Sequence, residues 1–132
     1  MPMSSPWDVP FLSRTPSGAI SITGRSNVTI SGKQFVNIGN DVSSIRITRC
    51  NGVLITACDF DTDCQPITID TCTNVEISWC RYRNITGPHT RTGANRANFT
   101  QWVSTQRGWI HNNKGIGGDT EDIVSMRLIQ RS

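Results

Sequence analysis

The stretch I-R-I-T-R-C-N-G-V-L-I-T-A-C-D-F (45–60) returns 22 residues later as I-T-I-D-T-C-T-N-V-E-I-S-W-C-R-Y (67–82). Ile45, Ile47, Val53, Ile55, Cys58 and Phe60 recur as Ile67, Ile69, Val75, Ile77, Cys80 and Tyr82, and Cys50 recurs as Cys72. A step of 25 residues back reaches Ile20, Ile22, Val28, Ile30 and Phe35. Each unit reads as two short alternating strands, I-x-I and V-x-I, followed by an aromatic residue and a turn. Alternation at period two favours strand over helix. Self-similarity at this spacing predicts a solenoid, because one unit cannot bury its own apolar face and needs a stacked neighbour to do so.

The pattern predicts an all-β solenoid of about four to five stacked coils. The first coil spans about 18–41, the second 44–64 and the third 65–86, with Gly24, Gly32 and Gly39 at the corners of the first. The rhythm stops at 87–96, a polar, basic insertion of the kind that leaves a solenoid as a surface loop. It resumes from Phe99 to Val103 and from Trp109 to His111, and a fifth coil starts at Ile123. Nothing after Ile129 reads as a polar cap, so either a longer solenoid continues or something else covers that end. Residues 1–17 read as an N-terminal arm or cap. Trp7, Phe11 and Leu12 are suited to cover the open face of the first coil, or to reach a partner.

Hydrophobic residues make up only 36% of the chain and charged residues 17%, with Ser, Thr, Asn and Gly filling the difference, as short strands and many turns require. The net charge of +3 is small and scattered, which argues against a nucleic-acid surface. No run of 18 apolar residues predicts a membrane-spanning helix. No basic segment followed by an apolar one marks a secretory signal in the first residues. Five cysteines without a C-x-x-C pair do not suggest zinc. Stacking puts Cys50 under Cys72 and Cys58 under Cys80 and leaves Cys64 alone. Buried free thiols acting as small apolar fillers are expected, since in-register ladders suit disulfide geometry poorly.

The N-V-x-I-S units, with N-R-A-N-F (95–99) and G-W-I-H-N-N-K-G-I-G-G-D-T-E-D-I-V-S-M (108–126), resemble the pectate-lyase-like family of right-handed parallel β-helix proteins, of bacterial or phage type. The resemblance covers about 18–126. It implies that the solenoid is a right-handed, single-stranded parallel β-helix, and as functions it implies lyases, hydrolases, epimerases or non-enzymatic tail spikes.

Asp59, Asp61 and Asp63 share one face of an extended strand, and such a row resembles the calcium site of pectate lyases. The 22-residue step, however, puts Arg81 over Asp59 and Arg83 over Asp61. A cross-rung ion-pair ladder is therefore expected, and Ca2+ becomes the lesser reading. In the insertion, His89, Arg91 and Arg96 are the candidates for contact with a glycan or partner. Arg91 and His89 are also the catalytic candidates, because lyases resembling this fold use an arginine as base; a solvated loop is the plainer alternative. Asp119, Glu121 and Asp122 read as turn chemistry, and His111 as a satisfied histidine in the stack. Trp79 and Trp109 read as core or corner residues. Trp102 reads as the tryptophan to test for exposure and ligand contact. The sequons at Asn27, Asn84 and Asn98 carry no weight.

Three functions follow. The first is a β-helix scaffold and binding module of an extracellular or virion protein that contacts cell-surface polysaccharide. The second is a polysaccharide lyase or glycoside hydrolase, or a fragment of one. The third is a structural solenoid that assembles with copies of itself, as a homotrimer or by stacking on a longer solenoid. No acid pair or nucleophile–base set stands out, which favours binding or structure over catalysis.

Overall fold

A computed structural model describes residues 6–36, 43–62, 66–83, 98–116 and 122–127. Each I-x-I, V-x-I and aromatic segment becomes a strand, three to a coil. The first coil is β2 (Ile20–Thr23), β3 (Ser26–Ser31) and β4 (Lys33–Val36); the second is β5 (Ile45–Thr48), β6 (Asn51–Thr56) and β7 (Asp59–Asp61). The third is β8 (Ile67–Asp70), β9 (Thr73–Ser78) and β10 (Arg81–Arg83); the fourth is β11 (Asn98–Val103), β12 (Gln106–His111) and β13 (Lys114–Gly115). A short β1 (Thr15–Pro16) pairs with β4, and β14 (Asp122–Arg127) pairs with β11. Corresponding strands stack in parallel into sheet A (β1-β4-β7-β10-β13), sheet B (β2-β5-β8-β11-β14) and sheet C (β3-β6-β9-β12). The fold is a parallel β-helix, a solenoid as the repeat predicts.

The register carries the repeat into the core. Ile20, Ile45 and Ile67 form one column, Ile22, Ile47 and Ile69 a second, and Val28, Val53 and Val75 a third. Phe35 and Phe60 stack with their ring centres 5.1 Å apart. In the second and third coils these columns are buried, because each coil covers the open face of the next. The corners are built from left-handed backbone. Gly24, Arg49, Thr71 and Ser104 take positive φ between sheets B and C, and Gly32, Ala57, Trp79 and Asn112 do so between sheets C and A.

Cysteine follows at four of these corners, and Cys50, Cys58, Cys72 and Cys80 are free and buried. They do more than fill space. The thiols of Cys50, Cys58, Cys72 and Cys80 donate to the carbonyls of Thr48, Thr56, Asp70 and Ser78, two residues back, each at 3.4 Å. Cys72 Sγ also accepts the Cys50 N–H. In the fourth coil Thr105 and Asn113 take over: the Thr105 hydroxyl accepts the Cys72 N–H, and Asn113 Oδ1 accepts the Cys80 N–H. The corner thus needs a small donor–acceptor that satisfies buried backbone groups, and a thiol or a polar side chain serves. Cys64 lies outside the described residues. Burial pushes the Cys72 thiol up and the Cys80 thiol well up, whereas the hydrogen bond with Cys80 draws Cys58 down; none of them faces solvent. Cys50, Cys58, Cys72 and Cys80 are expected to resist Ellman's reagent in the native chain and to react once guanidinium unfolds it. Rapid labelling of any of the four in the native state would contradict this packing.

The fourth coil departs from the repeat. Thr100, Trp102, Gly108 and Gly115 stand in register over Ile67, Ile69, Val75 and Tyr82. Trp102, the tryptophan singled out to test for exposure, is 1% exposed and donates its indole N–H to Thr100 Oγ1 at 3.0 Å, so it is a buried residue. Its phase is that of the inward Ile22–Ile47–Ile69 column. Room for the indole comes from Gly108, where an added Cβ would fall 1.6 Å from Trp102 Cζ3. At Gly115 an added Cβ would fall 2.9 Å from Tyr82 Cε2, and Phe99 stacks on that tyrosine ring at 4.5 Å.

Candidate functional site

Sheet C presents three outward columns. The first is Asn27, Gly52, Asn74 and Arg107, all with positive φ, at the second position of each strand. Asparagine and glycine tolerate that backbone, and the missing Cβ at Gly52 leaves room for the Asn27 side chain, whose Oδ1 would lie 3.0 Å from it. Asn74 donates to Asn51 Oδ1 at 2.9 Å, which fixes the amide ladder across two rungs. The second column is Thr29, Leu54, Glu76 and Trp109, and the third is Ser31, Thr56, Ser78 and His111.

Trp109 is 60% exposed, which corrects the expectation that it belongs to the core. Gly108 and Ile110 hold the inward positions of β12, so Trp109 between them must point out. One face of its indole stacks on the His111 ring, with centres 3.8 Å apart and planes 21° off parallel. His111 Nε2 meets Glu76 Oε2 at 2.8 Å, and its Nδ1 meets Asn112 Oδ1. Both ring nitrogens therefore face oxygen acceptors, and only the protonated ring donates to both. The hydrogen bond to Asn112, then that to Glu76, raises the His111 pKa above its ordinary value. The expectation of a satisfied histidine holds. Asn27, Leu54, Asn74, Glu76, Arg107 and Trp109 border an open groove of about 440 Å³ that crosses the rungs.

His111 gives a pH prediction. A raised folded pKa adds stability that is fully present below the unfolded value of about 6.5 and is lost as pH rises through the folded value. The His111 ring resonances are expected to titrate above that value by NMR, and Glu76→Gln is expected to move the midpoint down. An unmoved midpoint would break the link to Glu76.

Sheet A carries the acidic row. Asp59 and Asp61 stand in register beneath Arg81 and Arg83. Arg81 Nη2 meets Asp59 Oδ2 at 2.8 Å and Arg83 Nη2 meets Asp61 Oδ2 at 2.7 Å, so the ion-pair ladder is as expected. Among the described residues no cluster of three or more His, Cys, Asp or Glu side chains is arranged to hold a metal ion; Asp63 lies outside them. Among the described residues of the N-terminal segment, Trp7 to Leu12 run over the flank of sheet A, with Trp7 edge-on to Trp79 at 5.1 Å and Phe11 beneath the guanidinium groups of Arg81 and Arg83. The Leu12 N–H donates to Asp59 Oδ2 at 2.9 Å, and Arg81 donates to the carbonyls of Val9 and Pro10.

His89, Arg91 and Arg96, with the whole insertion at 87–96, lie outside the described residues, as do Asp119 and Glu121. The groove on sheet C was missed because its decisive residue was assigned to the wrong face. The corner contacts Cys72–Thr105 and Cys80–Asn113 both span 33 residues, and a step of that length aligns Gly108 and Ile110 with Val75 and Ile77. That alignment would have turned Trp109 outward. Comparison with protein-family models finds no match, and comparison with curated proteins finds no similar one.

Proposed function

We propose that this chain is a binding module whose sheet C groove takes polysaccharide. The exposed indole of Trp109, backed by His111 and bordered by amides and charged groups, is the observation that carries the reading. A flat aromatic face packs against the C–H face of a pyranose, while Asn27, Asn74, Glu76 and Arg107 supply donors and acceptors for its hydroxyls. Rungs about 4.8 Å apart repeat those groups along the stack axis, which suits a chain better than a single sugar. The resemblance of the repeats to pectate-lyase-like β-helix proteins supports the same ligand class and an extracellular or virion setting. His89, Arg91 and Arg96 are proposed as further contacts on sequence grounds alone.

The test is retention on a panel of insoluble polysaccharides. Trp109→Ala is expected to lower retention at least tenfold with an unchanged melting temperature, since the side chain lies outside the core. Retention equal to that of the native chain would remove the groove from the proposal. Release of reducing ends or unsaturated uronic products by the native chain would instead favour the lyase or hydrolase reading.

A further inference from the structure

We propose that the N-terminal segment Trp7 to Phe11 is an exchangeable arm, and that its second partner is the sheet A flank of another copy of this chain. The arm is recognised through two of its carbonyls and through its aromatic rings. Arg81 Nη1 and Nη2 donate to the carbonyls of Val9 and Pro10 at 2.9 and 3.3 Å. At the hinge and just beyond it, Asp59 accepts from the Leu12 N–H at 2.9 Å and Gln34 Oε1 accepts from the Arg14 N–H at 2.8 Å, which ties the base of the arm to its own flank. Gln34, Asp59 and Arg81 form one register column, so the flank carries a ready-made ladder of polar groups for this segment. The aromatic contacts add side-chain selectivity: Trp7 on Trp79, Lys114 over Trp7, and Phe11 under two arginines.

The hinge is Leu12. Its φ is +62°, a left-handed backbone that a leucine adopts only at a cost. Among the described residues the other left-handed positions recur rung after rung as corners or as the sheet C column, whereas Leu12 belongs to no column. It turns the chain back so that residues 7–11 lie on their own flank, and the Ser13 hydroxyl bonds the Pro10 carbonyl across that turn. Ser13 is exposed, and β1 begins two residues later. If Leu12 relaxes to ordinary extended backbone, the arm leaves its own flank and can make the same contacts on a second copy, while the local strain is released. Exchange of identical elements about a strained hinge is a low-cost route to a dimer, because no contact has to be invented. This inference does not depend on the polysaccharide reading.

The experiment is light scattering behind gel filtration on the full-length chain over a wide concentration range. The native chain is expected to show a monomer–dimer equilibrium. Leu12→Gly removes the strain of the closed turn and is expected to weaken the dimer by roughly tenfold or more. Leu12→Ile keeps the N–H that bonds Asp59 but resists positive φ, and is expected to strengthen the dimer to a similar degree. The full-length Trp7→Ala/Phe11→Ala chain is expected to be monomeric, with circular dichroism showing an intact fold. A native chain and a Leu12→Ile chain that are both monomeric throughout would overturn the proposal. So would a dimer that survives Trp7→Ala/Phe11→Ala, or Leu12→Gly and Leu12→Ile acting alike. If Leu12→Ile fails to fold, the comparison of Leu12→Gly with the native chain still decides.

Discussion

Gly108→Val is expected to be among the most damaging single substitutions in the chain, although valine is what the repeat itself places there. Val28, Val53 and Val75 fill this column in the first three coils. In the fourth, an ideal Cβ at Gly108 would fall 1.6 Å from Trp102 Cζ3 and 2.2 Å from Cη2, so the indole would have to leave. Leaving is costly: Trp102 is among the largest fully buried side chains, and its N–H is the donor to the buried Thr100 hydroxyl. Overpacking a core costs about 1–3 kcal/mol when neighbours can shift, and an evicted indole puts this case at or above the upper end. Trp102→Ile alone leaves a void and is expected to cost about 3 kcal/mol, near the low end for truncating a buried tryptophan. The double substitution Trp102→Ile/Gly108→Val restores the pairing of the earlier coils and is expected to recover much of what each single change loses. Urea unfolding of the four chains gives the cycle, with an expected coupling of about 2 kcal/mol or more. Losses that simply add would mean that the indole does not occupy the space above Gly108.

The same pair shows where sequence reading succeeds and where it stops. Columns made of Ile, Val and Phe announce themselves, because inward position and hydrophobic type coincide at each rung. Asp59 with Arg81 and Asp61 with Arg83 were legible for a related reason, since the 22-residue step puts opposite charges side by side. In the fourth coil the inward positions pass to Thr100, Trp102 and Gly108, so hydropathy no longer marks the inside. Volume is conserved between columns rather than within each one, and that trade appears only when two strands are seen across the core. Trp109, the residue on which the proposed site rests, was misplaced by the same break in phase. The arm escaped for a different reason: Trp7 and Phe11 advertise that they need burial, but their partners Trp79, Arg81 and Arg83 lie some 70 residues away with no repeated counterpart to point to them.

Arg81→Met and Arg83→Met place the same chemical change on two positions of one strand, and they are expected to differ severalfold in cost. Arg81 and Asp59 have side chains 6% and 0% exposed, sealed beneath the arm, whereas Arg83 and Asp61 are 39% and 14% exposed. Removing one partner of a buried pair strands the other charge and costs about 3–5 kcal/mol. Arg14, whose Nε lies 3.3 Å from Asp59 Oδ1, and the Leu12 N–H soften that loss without replacing a bidentate guanidinium. Arg81→Met also removes the donors to Val9 and Pro10, so the arm should loosen and the Trp7–Trp79 contact should open. At Arg83 water reaches both partners, and the expected cost is at most about 1 kcal/mol. Urea unfolding at one fixed protein concentration, followed by tryptophan fluorescence, measures both. A large loss at Arg81 alone would assign the energy to the seal that the arm makes over Asp59. Equal small losses would mean that water reaches Asp59 and that the arm spends much of its time off the flank.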